Sequence, residues 1–166
     1  MPTLGPANGS LRVKTYREGV AAKVGHDLVM EVSSWEATVD DETIELRADS
    51  TSLRVLSGER GVKPLTDRDR DEIRKNIDEK ILRRQPIEFR STAVRRSGEQ
   101  LAVEGELTLA GTTRPVSAQL TRGADGRLTG TIPVVQTQWG IKPYRGLMGA
   151  LKVRDDVEIV IDAQLA

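Results

Sequence analysis

Apolar and polar residues alternate with a period of two through most of this 166-residue chain. Half-buried strands produce that pattern, because successive side chains leave a strand on opposite faces. Leu11, Val13 and Thr15 alternate with Arg12, Lys14 and Tyr16. Leu101, Val103, Gly105, Leu107 and Leu109 alternate with polar residues that include Glu104, Glu106 and Thr108. Val157, Ile159, Ile161, Ala163 and Leu165 close the chain against Glu158, Asp162 and Gln164. With the runs at 28–39, 44–55, 87–90, 116–120 and 128–134, the pattern predicts eight strands in up-and-down order. Asp40-Asp41, Ser97-Gly98, Ala110-Gly111-Thr112 and Gly123-Ala124-Asp125-Gly126 supply the turns. Such strands must cover one apolar face, which a sandwich or a closed barrel achieves. Two runs change parity. Leu28, Met30 and Val32 give way to Trp35, Ala37 and Val39; Ile44, Leu46 and Ala48 give way to Leu53 and Val55. A one-residue slip inverts every side chain, so each switch marks a bulge or sharp bend. Strongly bent strands favour the barrel.

One segment has a different period. Ile73, Ile77 and Ile81 recur every four residues, and Thr66 with Asp69 has capping-box spacing. Pro86 ends the pattern. An amphipathic helix is predicted over about 66–84. The Pro- and Gly-containing start reads as a flexible arm over 1–9, followed by a single domain over 10–166.

Composition narrows the chemistry. The chain has no Cys and one His, which excludes disulfides, thiolate metal sites, cysteine nucleophiles and paired imidazole ligands. No metal and no cofactor are expected. The 25 basic residues equal the 25 acidic ones, and aromatics make up 3%, so neither phosphate attraction nor base stacking supports nucleic-acid binding. The first ten residues lack the basic and apolar regions of a signal peptide, and no apolar stretch approaches a membrane span. A cytoplasmic location without an integral membrane segment is the expectation.

An eight-stranded barrel either fills itself with side chains or encloses one small ligand. Several inward positions are small: Ala37, Ala48, Ala93, Gly105, Ala118, Gly130 and Ala163. They leave a lumen, or they make room for large neighbours in a filled barrel that serves as a structural or interaction module. A lumen would be apolar and would suit an aliphatic chain. Its expected wall includes Met30, Trp35, Leu46, Phe89, Leu107 and Ala118, with Ile132, Trp139, Ile141, Met148 and Ile159.

The stretch from Trp139 to Gly149 suits a mouth, with large apolar side chains among glycines. There Lys142 and Arg145 would hold an anionic head group beside Tyr144, unless they are solvated cations on a capping loop. His26, beside Asp27, is a further mouth candidate. A hydrolase reading of His26 needs a positioned nucleophile, and no Gly-x-Ser-x-Gly elbow is present. No catalytic residue is predicted.

Three stretches resemble one family. Gly105-Glu106-Leu107-Thr108-Leu109-Ala110-Gly111-Thr112-Thr113-Arg114-Pro115-Val116 resembles the G-x-L-T-x-x-G-x-T-x-P-V hairpin of the YceI-like proteins. Pro86-Ile87-Glu88-Phe89-Arg90-Ser91 is similar to that family's P-x-I-x-F-x-S strand after its helix. Trp139-Gly140-Ile141 and the strand Val153–Ile159 are similar to its closing segments. The resemblance implies an all-β, antiparallel, lipocalin-like barrel with one packed helix, and no catalytic activity. It also implies an apolar tunnel for a polyisoprenoid chain, such as a polyprenyl phosphate or an isoprenoid quinone, and a homodimer. The chain departs from the family where Val24-Gly25-His26-Asp27-Leu28 replaces the F-x-x-x-H pattern. It departs again before Pro86, where Ile73–Ile81 replaces an aromatic-rich segment, and at Gln136-Thr137-Gln138.

Overall fold

The computed structural model describes residues 3–18, 27–40, 42–59, 65–146 and 151–165. The strands are β1 (Thr3–Leu4), β2 (Gly9–Thr15), β3 (Arg17–Glu18), β4 (Asp27–Val32), β5 (Trp35–Val39), β6 (Ile44–Ala48) and β7 (Leu53–Glu59). Helix α1 (Asp67–Asn76) follows. Then come β8 (Ile87–Ser97), β9 (Gln100–Leu109), β10 (Thr112–Arg122), β11 (Arg127–Val135), β12 (Arg145–Gly146), β13 (Leu151–Val153) and β14 (Asp156–Gln164). Eleven of the strands form one curled antiparallel sheet in the order β1-β5-β6-β8-β9-β10-β11-β14-β2-β4-β7. A small second sheet joins β12, β13 and β3.

The mostly β fold with one helix follows the alternating pattern, but the expected eight strands become eleven. Both parity switches are complete breaks. The run at 28–39 divides at Ser33-Ser34 into β4 and β5, and the run at 44–55 divides at 49–52 into β6 and β7. The two breaks lie side by side and hold each other. Ser33 N–H donates to the Ser52 carbonyl at 3.0 Å, and Asp49 N–H donates to the Ser34 carbonyl at 3.0 Å. Ser33 Oγ donates to the same Ser52 carbonyl at 2.7 Å, and Asp49 Oδ1 accepts from Thr51 N–H and Oγ1–H. Serine and aspartate favour such corners because their short side chains capture nearby backbone groups. The corner curls the sheet. β5 pairs with β6 towards one end of the strand order, while β4 pairs with β7 at the other.

The eleventh strand comes from the segment expected to be a flexible arm. Thr3 and Leu4 pair with Thr38 and Ala37, and Leu4 is buried. Burial of one leucine outweighs the loop-like composition around it. A bulge in β8, between Ser91 and Ala93 opposite β9, corrects another expectation. It inverts the parity, so Val94 rather than Ala93 packs on the core, opposite Val103.

Helix α1 begins with the capping box that its sequence predicts. Thr66 Oγ1 accepts from Asp69 N–H at 3.1 Å, and Asp69 Oδ2 accepts from Thr66 N–H at 3.0 Å. The helix passes into a π turn over Ile77–Ile81 and ends before the expected residue 84, because Arg83 and Arg84 both adopt positive φ, 53° and 56°. α1 packs against β7, the sheet's edge strand. No residue of α1 is fully buried. Its stability therefore rests on the cap and on the isoleucine face.

Charged pairs lie on the outer faces. Arg127 grips Asp162 through Nε at 2.9 Å and Nη2 at 2.6 Å, and Arg154 forms a similar fork with Asp156. The hydrogen bond from Arg127 holds the Asp162 carboxyl below its ordinary pKa, and that from Arg154 does the same for Asp156. Hydrogen bonds from Thr51 lower Asp49 likewise. A carboxylate whose folded-state pKa is depressed stabilises the fold fully above its unfolded pKa, and that contribution is lost as pH falls through the folded value. Thermal melts across a pH series are therefore expected to be level through neutrality and to fall below about pH 4, the ordinary aspartate range. Asp162→Asn should shallow that acid fall. A decline that starts near pH 6 would contradict the assignment.

Candidate functional site

The concave face of the sheet encloses a cavity of about 1040 Å³. That is at the upper end of the roughly 300–1,000 Å³ spanned by small-molecule sites. Its wall is mainly aliphatic and comes from most strands of the sheet. The core falls into two clusters. One holds Leu4, Met30, Val39 and Leu101 among others; the second holds Leu107, Val134, Trp139 and Ile141. Six side chains pack against both clusters: Val13, Ile81, Ile87, Phe89, Ile132 and Ile159. All six are only half-buried, and all line the cavity. Apolar side chains on an inner face are incompletely covered when the space in front of them is open.

The small inward residues serve both roles weighed from the sequence. A Cβ on Gly105 would come within 2.5 Å of the Phe89 ring and of the Arg90 carbonyl oxygen. A Cβ on Gly130 would collide with Leu120 Cδ2. These two glycines make room for neighbours. Ala37, Ala48 and Ala118, in contrast, line open space. Gly105→Ala is accordingly expected to cost about 1–3 kcal/mol, the usual range for overpacking. Because one obstacle is backbone, Phe89→Leu in the same chain should recover only part of the loss. Denaturant titration of the single and double variants measures this, and an unchanged midpoint for Gly105→Ala would refute it.

Of the wall residues expected from the sequence, Met30, Leu46 and Phe89 line the cavity from β4, β6 and β8. Leu107, Ala118, Ile132 and Ile159 line it from β9, β10, β11 and β14, and Ile141 from the chain that follows β11. Two expected wall residues lie elsewhere. Trp139 is buried at 1% exposure, and its Nε1–H donates to the Leu107 carbonyl at 2.8 Å. An indole needs a partner for its N–H when buried, and that bond turns the ring into the second core cluster rather than the lumen. Trp35 is buried beside Ser34, Arg47 and Asp49, next to the sheet corner. Met148 and His26 lie outside the described residues.

Of the head-group candidates among the described residues, Tyr144 borders the cavity, and it is 47% exposed. Lys142 and Arg145 are exposed and do not line it. The sequence reading missed the polar part of the wall. Asp69, Glu72, Lys75, Asn76, Glu79 and Lys80 border the cavity from α1 and its π turn. Their alternation with Ile73 and Ile77 looks like an ordinary solvated helix face, and only the seating of the helix on β7 brings them to the opening. Thr15 and Gln136, both 8% exposed, supply polar groups inside. Gln136 Nε2 donates to the Arg154 carbonyl at 3.1 Å. The Thr15 hydroxyl has no partner among the described residues.

Among the described residues no group of acidic or histidine side chains is arranged to hold a metal ion. No described helix is long and apolar enough to cross a membrane.

A YceI-like domain model matches residues 6–165. Solved structures that share the fold include those of two proteins. One is BcnA of Burkholderia cenocepacia, with a TM-score of 0.68 at 14% identity over 93% of this chain and 94% of that one. The other is the YCEI protein of Campylobacter jejuni, with a TM-score of 0.56 at 11% identity over 81% of this chain and 82% of that one. A mutant of the Campylobacter protein that carries a monobromobimane guest aligns similarly, at a TM-score of 0.57 and 11% identity over the same shares. No curated protein sequence matches the chain.

Proposed function

This chain belongs to the YceI-like family, and from that premise we propose that it holds a polyisoprenoid, or a similar long aliphatic lipid, inside its sheet. The family is known for a barrel that binds hydrophobic ligands. The single observation that carries the reading is the apolar cavity of about 1040 Å³. Enclosing a chain there would release ordered water from both partners, worth about 0.8 kcal/mol for each CH₂ buried. The contacts would come from Met30, Leu46, Phe89, Ile132 and Ile159, with Ala118 leaving room beside them. The chain would pass in near α1 and the π turn that follows it, where Ile73, Ile77 and Ile81 form the apolar side of the helical wall. Lys142 and Arg145 make no contact with the buried chain in this reading.

Storage or transport of such a lipid needs no metal, thiol or nucleophile, so the reading is of a binder and not an enzyme. The filled-barrel alternative has little support beside so large an apolar space.

A chain-length series tests the proposal. Affinity measured for prenyl alcohols of increasing length should climb steeply with each isoprene unit and level off once the lumen is full. A flat series, or binding that depends on the head group alone, would remove the proposal.

A further inference from the structure

Resting on the lipid-binding reading, we infer that the open end of the cavity docks on an anionic bilayer, with Lys142, Tyr144 and Arg145 as its contact point. A lipid then passes between membrane and lumen without crossing water. The exposed residues that border the cavity mark where it reaches solvent. Among the described residues they are Tyr144 and, on the helical segment, Glu72, Lys75, Glu79 and Lys80. Only two large apolar side chains are exposed among the described residues, Tyr144 and Leu56 of β7. The Tyr144 carbonyl accepts from Val153 N–H at 3.0 Å, and Val153 also borders the cavity, which fixes the tyrosine backbone at the rim. Aromatic rings with one polar end favour the boundary between membrane and water.

Charge sets the sign of the partner. The chain balances 25 basic residues against 25 acidic ones, but the rim does not balance. Its exposed acids have cationic neighbours: Glu72 lies 3.4 Å from Arg68, and Glu79 lies 4.0 Å from Arg84. The rim cations Lys75 and Lys80 have no ion pair among the described residues, and neither do Lys142 and Arg145, the exposed residues on either side of Tyr144. Uncompensated cations grouped at an opening attract a negative surface, and a bilayer that contains anionic lipids provides one. An acidic protein would match the charge but would not supply the guest. A long-chain lipid resides in a bilayer, and exposing its chain to water on the way costs in proportion to its length. Loading against the membrane removes that barrier.

Sedimentation with vesicles tests docking apart from lipid capture. The probes are vesicles of phosphatidylcholine alone and of phosphatidylcholine mixed with phosphatidylglycerol, both free of prenyl lipid. Wild type should bind the anionic vesicles at least roughly thirtyfold tighter than the neutral ones, and added salt should erode the difference. Lys142→Gln combined with Arg145→Gln should lose roughly thirtyfold on the anionic vesicles, about fivefold for each cation near the surface. That variant should keep its melting temperature and its affinity for a prenyl alcohol in solution. The control is Arg47→Gln combined with Arg90→Gln, exposed cations next to the inward Leu46 and Phe89 on β6 and β8, and it should lose nothing. Equal binding to both vesicles, an undiminished Lys142 and Arg145 variant, or an equal loss in the control overturns the docking face while lipid binding stands. Binding to neither vesicle overturns it as well, and capture by polyglutamate instead would assign the cations to an acidic protein. If prenyl alcohols fail to bind wild type in solution, the lipid reading fails and takes this inference with it.

Discussion

Ala118→Trp is expected to remove most of the chain affinity while leaving the fold intact. Ala118 lies on β10 opposite Val103, is half-buried and borders the cavity. An indole there projects into open space, so it avoids the strain that overpacking causes in a filled core. It occupies volume that an aliphatic chain would use. Displacing about four CH₂ groups costs about 3 kcal/mol of binding, or roughly 200-fold. Ser117→Trp is the control. Ser117 is its neighbour on the same strand but is exposed on the outer face. Titration of both variants with one prenyl alcohol reads the difference directly. Equal affinities would mean that the chain does not occupy this part of the lumen.

Trp139→Ala should have the largest effect on stability. Trp139 is among the most completely buried side chains, and it packs with Leu107, Val134 and Ile141. Truncating a buried tryptophan typically costs about 3–5 kcal/mol. For a domain of this size that corresponds to a fall in melting temperature of roughly 6–20 °C. Trp139→Phe should fall less, since it retains most of the ring volume and loses the bond to the Leu107 carbonyl. Differential scanning calorimetry measures both. A small change for Trp139→Ala would contradict the placement of the ring in the core.

The two residues also mark the limits of sequence reading. Alternation predicts which side chains face inward, and it places Ala118, Phe89 and Ile159 on the concave face. It carries no information on how far apart opposite walls stand. In the sequence Gly105 and Gly130 are equally compatible with a void and with room for large neighbours, and the structure assigns their space to Phe89 and Leu120. Trp139 looks like a wall residue because it is large and apolar, but its hydrogen bond to a residue 32 positions away sets its orientation. The parity switches are legible as bends. That they are breaks depends on bonds between Ser33 and Ser52 and between Ser34 and Asp49, pairs brought together only by folding. Likewise Leu4 is embedded in a loop-like composition and gains its strand from a partner at Ala37.

The central claim, an aliphatic chain enclosed by the sheet, is tested most directly by mass spectrometry of the protein purified without detergent. Intact protein sprayed under native conditions, followed by a solvent extract of the same sample, shows whether a lipid travels with the fold. The account predicts an added mass that persists in native spectra and appears in the extract as a single long-chain lipid, with wild type loaded and Ala118→Trp nearly empty. A protein that carries no lipid, and whose melting temperature does not rise when prenyl alcohols are added, would contradict it.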